Sequence, residues 1–360
     1  MMARALRLAA RARCWARPNP HVGCVIARGD SVVGEGFTQP AGGDHAEVRA
    51  LRVAGGRARG ATAYVTLEPC CHHGRTPPCT QALIGAGVAR VVFAVSDPNP
   101  RVDGGGARAL REAGIGVEIG LLASESEQQL AGFLARYRRG RGRLRLKLAM
   151  SLDGRTAMAS GDSQWITGPA ARADVQRLRA ESCAILTGVG TVLADDCALT
   201  VRDGEVAGDP LLPPPARRAL RAVLDSHLRT PAAARVVAGP QPALLLHRED
   251  AAVPAALADV PRQALPAAQR GLDPRAALEA LAQRECNEIL LESGPRLAGA
   301  VLRAGLADQL LVYVAPRLLG SDARPLFELP LSRMAEALDL RLLEQRRIGA
   351  DLRLTLEPPE

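Results

Sequence analysis

The chain of 360 residues has few aromatics, only 2%, and among its 46 lysines and arginines Lys147 is the single lysine. So few ring faces argue against a single-strand nucleic-acid binder built on stacking platforms. No apolar stretch reaches the ~20 residues that a membrane-spanning helix needs, and no apolar leader with a small-residue cleavage site opens the chain. A soluble, cytoplasmic protein is expected. Without a secretory signal, its 8 cysteines are not expected to form a disulfide framework. The lone lysine stands against an arginine-rich background, where a compact ammonium can do what a guanidinium cannot.

Hydrophobic residues at 47% and charged residues at 23% are ordinary for globular chains, and the length suits two domains. The net charge of +8 fits an anionic small molecule as well as a nucleic acid. Helical spacing over 2–13, strands at 22–26 and 31–34, a helix at 45–54 and a strand at 61–67 begin an alternation. It continues through a helix at 80–86, a strand at 90–95, a helix at 107–113 and a last short strand at 116–119. Such alternation indicates an α/β layered sheet. The arginine-rich opening lacks serine and runs straight into the first strand, so it reads as a domain helix rather than a transit peptide.

The run from Arg136 to Arg143 is polar, like-charged and interrupted by glycine, and reads as a solvated linker. Beyond it come strands at 144–149, 183–187, 219–225, 243–247, 288–292 and 309–314, with a helix at 170–181. The stretches 210–215 and 231–274 read as loop-like, and no chemistry is assigned to them.

Chemistry concentrates early. Cys14, His21, Cys24, His45, Cys70, Cys71, His72, His73 and Cys79 all precede residue 80, whereas Cys183, Cys197 and Cys286 are scattered and read as small buried groups. His45-Ala46-Glu47 opens a helix, and Glu68-Pro69-Cys70 with a later cysteine completes the His-x-Glu and Pro-Cys signature of zinc nucleobase deaminases. Three ligands hold zinc tetrahedrally and leave one position to a water whose pKa the metal lowers. A carboxylate outside the ligand set then moves protons, and Glu47 is placed for that role. The spacing leaves two ligand sets, His45, Cys70 and Cys79 or His45, Cys70 and His73. Thiolate chemistry and the helix that follows Cys79 favour the first.

The stretch from Thr66 to Cys79, TLEPCCHHGRTPPC, resembles the bifunctional riboflavin-biosynthesis deaminase–reductases, as do Pro18-Asn19-Pro20-His21-Val22-Gly23 and Asp97-Pro98-Asn99-Pro100. The resemblance implies the long gap between the cysteines and Cys79 as third ligand. Cys71 stands where serine is usual. It also implies that Asn19 and the loop from His72 to Thr76 contact pyrimidine and ribose phosphate. Within that loop Arg75 is a suitable phosphate donor.

The second half shows no complete dinucleotide-binding or Walker fingerprint. Thr187-Gly188-Val189-Gly190-Thr191 and Glu292-Ser293-Gly294-Pro295 each join a strand to a helix and could present backbone N–H groups to an anion. The run LKLAMSLDGR from Leu146 to Arg155, then GDSQWIT from Gly161 to Thr167, resembles the reductase part of the same family, although Cys197 replaces a usual proline after Asp195-Asp196. That resemblance implies an N-terminal cytidine-deaminase-like α/β/α domain over 1–143 and a C-terminal dihydrofolate-reductase-like α/β domain over 144–360 that uses NADPH. It places Ala149, Trp165, Thr191, Asp195, Gly294, Pro295, Arg296, Leu297, Ala298, Gly299 and Ala300 at the cofactor. Ser163, Arg179, Leu199, Arg202 and Glu292 fall at the substrate, with Lys147 near its ribose or phosphate. A homo-oligomer without nucleic-acid or membrane partners is implied too. The rival readings are a nucleic-acid base deaminase and a non-catalytic zinc-organised binding protein.

Overall fold

The computed structural model describes residues 1–202, 219–239, 241–268 and 271–359; the proline run at 210–215 lies outside them. One compact unit is formed by Met1–Gly140, and a second begins at Arg141.

The first unit contains α1 (Met2–Arg11), β1 (Gly23–Arg28), β2 (Ser31–Phe37), α2 (Ala46–Ala54), β3 (Thr62–Val65) and α3 (Cys79–Gly85). It continues with β4 (Arg90–Phe93), α4 (Gly105–Glu112), β5 (Gly116–Ile119), α5 (Ala123–Gln129) and α6 (Ala131–Arg139). The sheet runs β2-β1-β3-β4-β5, antiparallel through β1 and parallel from β3 to β5. Cys24, Val25 and Ile26 of β1 are fully buried, as expected of a strand covered on both faces. Helix α2 lies close on β2 because Gly34 and Gly36 have no side chains. A Cβ at Gly34 would stand 2.2 Å from the Ala50 carbonyl oxygen, and one at Gly36 2.3 Å from that of Ala46. These two glycines therefore set the height of the helix that begins beside His45.

The second unit contains β6 (Arg143–Ser151), β7 (Arg155–Ala157), α7 (Pro169–Glu181), β8 (Ala184–Gly188), α8 (Val189–Asp195), β9 (Leu220–Leu224), β10 (Ala243–Arg248) and β11 (Arg262–Leu265). It ends with α9 (Pro274–Gln283), β12 (Glu288–Glu292), α10 (Pro295–Arg303), β13 (Gln309–Ala315), β14 (Arg324–Pro325), β15 (Arg341–Ile348) and β16 (Asp351–Glu357). Nine strands form one sheet in the order β11-β10-β9-β8-β12-β6-β13-β16-β15, parallel from β11 to β13 and closed by two antiparallel pairings. Leu144, Leu146 and Leu148 of β6 are buried near its middle. Strand β15 is an edge whose residues are exposed apart from Ile348. No helix among the described residues is long and apolar enough to cross a membrane.

The run from Arg136 to Arg143 contains the boundary between the units and is exposed at Arg138, Arg139 and Gly140, but it is not solvated throughout. Helix α6 extends through Arg139, and Gly140 closes it with φ 68°. Arg141 is buried and paired bidentately with Asp308, at 2.5 and 2.9 Å. Composition alone suggested repulsion and solvation, but a carboxylate 167 positions later supplies the missing counter-charge.

Candidate active sites

In the first unit the trio His45, Cys70 and Cys79 assembles from three places. His45 is the residue before α2, Cys70 follows the β3 strand end, and Cys79 opens α3. Their ligand atoms all lie within 4.8 Å of one another, and among the described residues this is the one group of three or more such side chains gathered for a metal. His45 Nδ1 is 3.2 Å from Cys79 Sγ and 3.6 Å from Cys70 Sγ. His73 belongs to no such group.

The electrostatics fit a dication. A hydrogen bond from the Cys79 thiol and contact with His45 hold the Cys70 thiol down at about 4, despite burial. Its sulfur then opposes a second thiolate, so Cys79 is raised, with burial adding to the effect. One cation among three such donors removes that conflict, and two thiolates with an imidazole are a zinc donor set.

Glu47 is the second residue of α2, in its first turn, and is 4% exposed. Burial pushes its carboxyl up to about 7; His45 pulls it down, and the Cys70 charge raises it further. A buried carboxyl near neutrality beside a metal trio can take and return a proton.

Sequence reasoning noted Glu68 only as part of a motif and gave it no role. Its buried carboxylate accepts N–H bonds from Asp97, Gly104 and Ala107 at 3.2, 3.2 and 2.9 Å. It thereby ties the Asp97-Pro98-Asn99-Pro100 segment and the start of α4 to the strand end that carries Cys70. The Glu-Pro-Cys and Asp-Pro-Asn-Pro strings were both visible, but nothing local showed that one holds the other. Asn19 is half-buried in the turn after α1, and Arg75 is exposed on the loop between Cys70 and Cys79. Cys71 stays outside the trio, directed at the Arg101 carbonyl at 3.6 Å.

In the second unit, cross-strand register joins residues far apart in sequence. Glu292 at the end of β12 pairs with Lys147 of β6. Arg179, near the end of α7, grips Glu292 with both arms, Nε to Oε1 at 2.6 Å and Nη2 to Oε2 at 2.9 Å. Arg179 also donates to the Thr200 carbonyl at 2.9 Å. Burial would raise the Glu292 carboxyl, but the Arg179 charge and hydrogen bonds, with Lys147 and Arg202, hold it below its ordinary value. Burial lowers Lys147, and Glu292 opposes that. Leu199 has φ 51° and a buried side chain in the core beside β8 and β9, so it can offer a ligand only backbone. Arg202 is exposed, its N–H bound to Gln176 Oε1 at 3.0 Å. Cys197 remains a thiol, pushed up to about 11 by burial and by Glu292 and Asp195.

Two of the proposed cofactor segments follow neighbouring strand ends, whereas Ala149 lies within β6 and Trp165 in the loop between β7 and α7. Gly188 and Glu292 end the neighbouring parallel strands β8 and β12, with Thr191 in the helix after the first and Gly294 just ahead of the helix after the second. Among the described residues no side chain caps α10 at Gly294, and Ser293 Oγ beside it is buried without a hydrogen-bond partner, so a docked anionic group fits there. Pro295, Leu297 and Ala300 are half-buried and Arg296 is exposed, whereas Ala298 and Gly299 are packed inward. Asp195 is exposed at the end of α8 near the Arg324 charge. Ala149 and Ser163 are half-buried. Trp165 is not a core residue: it is 54% exposed, with the Arg172 guanidinium 4.7 Å from its ring centre.

Residues 1–95 match the family model described as cytidine and deoxycytidylate deaminase zinc-binding region, and residues 143–354 match RibD C-terminal domain. Among curated relatives, the riboflavin biosynthesis protein RibD of Escherichia coli is 52% identical, covering 99% of this chain and 98% of its own. RibD of Haemophilus influenzae is 44% identical, covering 99% and 96%. A solved structure of Acinetobacter baumannii RibD matches with TM-score 0.92 and 44% identity, covering 100% of this chain and 98% of that one. The Thermotoga maritima diaminohydroxyphosphoribosylaminopyrimidine deaminase/5-amino-6-(5-phosphoribosylamino)uracil reductase matches with TM-score 0.85 and 30% identity, over 99% and 97%.

Proposed function

The chain belongs to the RibD family of riboflavin biosynthesis proteins, and from that premise we propose which of its residues carry each of the family's two reactions. It is a bifunctional enzyme with an N-terminal zinc-dependent deaminase and a C-terminal NADPH-dependent reductase. The first removes the 2-amino group of 2,5-diamino-6-(5-phosphoribosylamino)pyrimidin-4-one, and the second reduces the ribosyl group of the product to ribityl. The nucleic-acid deaminase reading is not favoured.

One observation carries the deaminase assignment: a His/Cys/Cys trio within 4.8 Å, next to the buried carboxyl of Glu47. His45 Nδ1, Cys70 Sγ and Cys79 Sγ hold zinc. When bound, zinc supplies Lewis acidity that brings the pKa of water near neutral. Glu47 accepts a proton from the attacking water and delivers it to the departing amine, so that ammonia leaves and a ring carbonyl remains. Asn19 and Arg75 hold the pyrimidine and the phosphate.

In the reductase, NADPH supplies the hydride. Ala149, Trp165, Thr191, Asp195 and the segment from Gly294 to Ala300 position the cofactor, with Ala298 and Gly299 offering backbone alone. Ser163, Lys147, Arg179, Arg202, Glu292 and the Leu199 backbone position the ribosyl phosphate. Lys147→Arg is expected to lower reductase turnover and spare deamination, because a planar fork does not replace a compact ammonium beside Glu292. Unchanged steady-state kinetics would remove Lys147 from the site. The proposed domain division is 1–143 and 144–360. We place the protein in the cytoplasm as a homo-oligomer without nucleic-acid or membrane partners. The exposed leucines Leu342 and Leu343 on the β15 edge suit contact between copies.

Mass spectrometry of the products tests the whole reading. Without NADPH, the diaminopyrimidinone ribotide should gain about one mass unit as amine becomes carbonyl. With NADPH, about two more should follow. A zinc-replete protein that leaves the substrate mass unchanged contradicts the assignment.

A further inference from the structure

We propose that Thr76 is a positioning residue for the zinc centre: its hydroxyl accepts the Nε2 proton of His45 and so keeps the Nδ1 lone pair directed at the metal. The inference rests on the reading that His45, Cys70 and Cys79 hold zinc. His45 has two faces in use. Nδ1 looks toward the sulfurs of Cys79 and Cys70, at 3.2 and 3.6 Å, while Nε2 lies 3.3 Å from Thr76 Oγ1. A neutral imidazole carries one N–H and one lone pair, and the partner of one nitrogen decides which the other keeps. Only the tautomer that donates from Nε2 leaves Nδ1 able to coordinate. A hydroxyl, with two lone pairs and a proton free to rotate elsewhere, accommodates that donation.

The chain between the cysteines explains how the hydroxyl reaches that position. Cys70 and Cys79 are separated by eight residues, of which Thr76-Pro77-Pro78 lead directly into Cys79. Both prolines lock φ, which narrows the freedom of Thr76 relative to the first residue of α3, and the two side chains meet the same ring at Nε2 and Nδ1. The long gap thus brings the Cys79 ligand and the orienting partner of His45 into one proline-restricted segment. His45 itself is the N-cap residue of α2, with extended backbone, and its side chain makes no cap hydrogen bond there.

The test uses full-length protein and competition for zinc against a chromophoric chelator. Thr76→Val, which keeps the shape and removes the acceptor, should weaken zinc binding about 10–100-fold. Thr76→Ser should restore affinity to within about threefold of the parent, as loss of a hydrogen bond alone predicts. Zinc affinity unchanged in Thr76→Val, with a raised KM for deamination, would make Thr76 a substrate contact and overturn the proposal. Long-range 15N–1H correlation on the unsubstituted zinc protein checks the premise: His45 should show the Nε2–H tautomer, and Nδ1–H would overturn ligation through Nδ1 and the proposal with it. Cys79→Ser serves as the control for the premise. Stoichiometric zinc retained in that variant overturns the ligand set itself, a failure distinct from unchanged affinity in Thr76→Val.

Discussion

Glu47→Gln should lower the deamination rate by about 10²–10⁴-fold, the usual share of a general acid–base group. Glutamine fills the same space but can neither take the proton from water nor return it to the amine. The carboxyl cannot easily be replaced by solvent, because Glu47 is 4% exposed and sits in the first turn of a helix pressed onto β2 at Gly34 and Gly36. Bulk water is therefore a poor substitute shuttle. Since Glu47 is not one of the three gathered ligands, zinc content should stay stoichiometric by elemental analysis. Reduction of supplied 5-amino-6-(5-phosphoribosylamino)uracil should proceed at the parental rate. Ammonia release within tenfold of the parent would show that another group moves the protons.

Glu292→Gln should have the largest effect in the second unit. The Glu292 carboxylate faces Arg179 through two hydrogen bonds and Lys147 across the strand pair, with the Arg202 charge also acting on it. Arg179 and Glu292 side chains are each 12% exposed, so the pair is largely shielded from solvent. Removing the charge leaves two neighbouring cations uncompensated, and breaking such a buried pair costs about 3–5 kcal/mol. Denaturant unfolding of the purified protein should show that loss. Reductase kcat/KM should fall by at least about 100-fold, about 2.7 kcal/mol of transition-state stabilisation, while deamination persists. Parental stability with parental reduction would mean that the trio neither orders the unit nor touches substrate.

The two sites differed in how much of them could be read from the chain. In the deaminase, Cys70 and Cys79 sit within one fourteen-residue string with prolines at fixed places, and His45 and Glu47 are two apart, so donor types and spacing were local information. The reductase trio comes from a strand at 147, a helix at 179 and a strand end at 292. Nothing local brings these together; parallel pairing of β12 with β6 does, and its register depends on the hydrophobic pattern of both strands. Trp165 shows the same limit from another side. A tryptophan is ambiguous between core and site until its exposure is known, and here the ring lies on the surface against Arg172.

The C-terminal hairpin of β15 and β16 and the helices α5 and α6 were not foreseen. Strand β15 carries no alternation to detect, since it is an edge with neither face buried along most of its length. Arg221 marks the sharpest boundary. It is 1% exposed, and its guanidinium donates to the carbonyl oxygens of Ala198, Arg235, Ala238 and Gln241. An arginine in an arginine-rich chain reads as surface; only the fold reveals that four loop carbonyls converge on one point and need a donor.

The sequence by itself determined which donor-bearing residues lie at zinc-site spacing with a carboxylate beside them, the alternation of strands and helices, and the motifs that carry the family resemblance. These follow from residue type and short-range spacing, which the chain states directly. Tertiary structure alone decided which charges are buried against which: Arg141 against Asp308, Glu292 against Arg179 and Lys147, and the Glu68 carboxylate under three backbone N–H groups. The reason is physical. Burying a charge is tolerable only when a partner arrives from elsewhere in the chain, and that arrival is a property of the folded topology rather than of any segment.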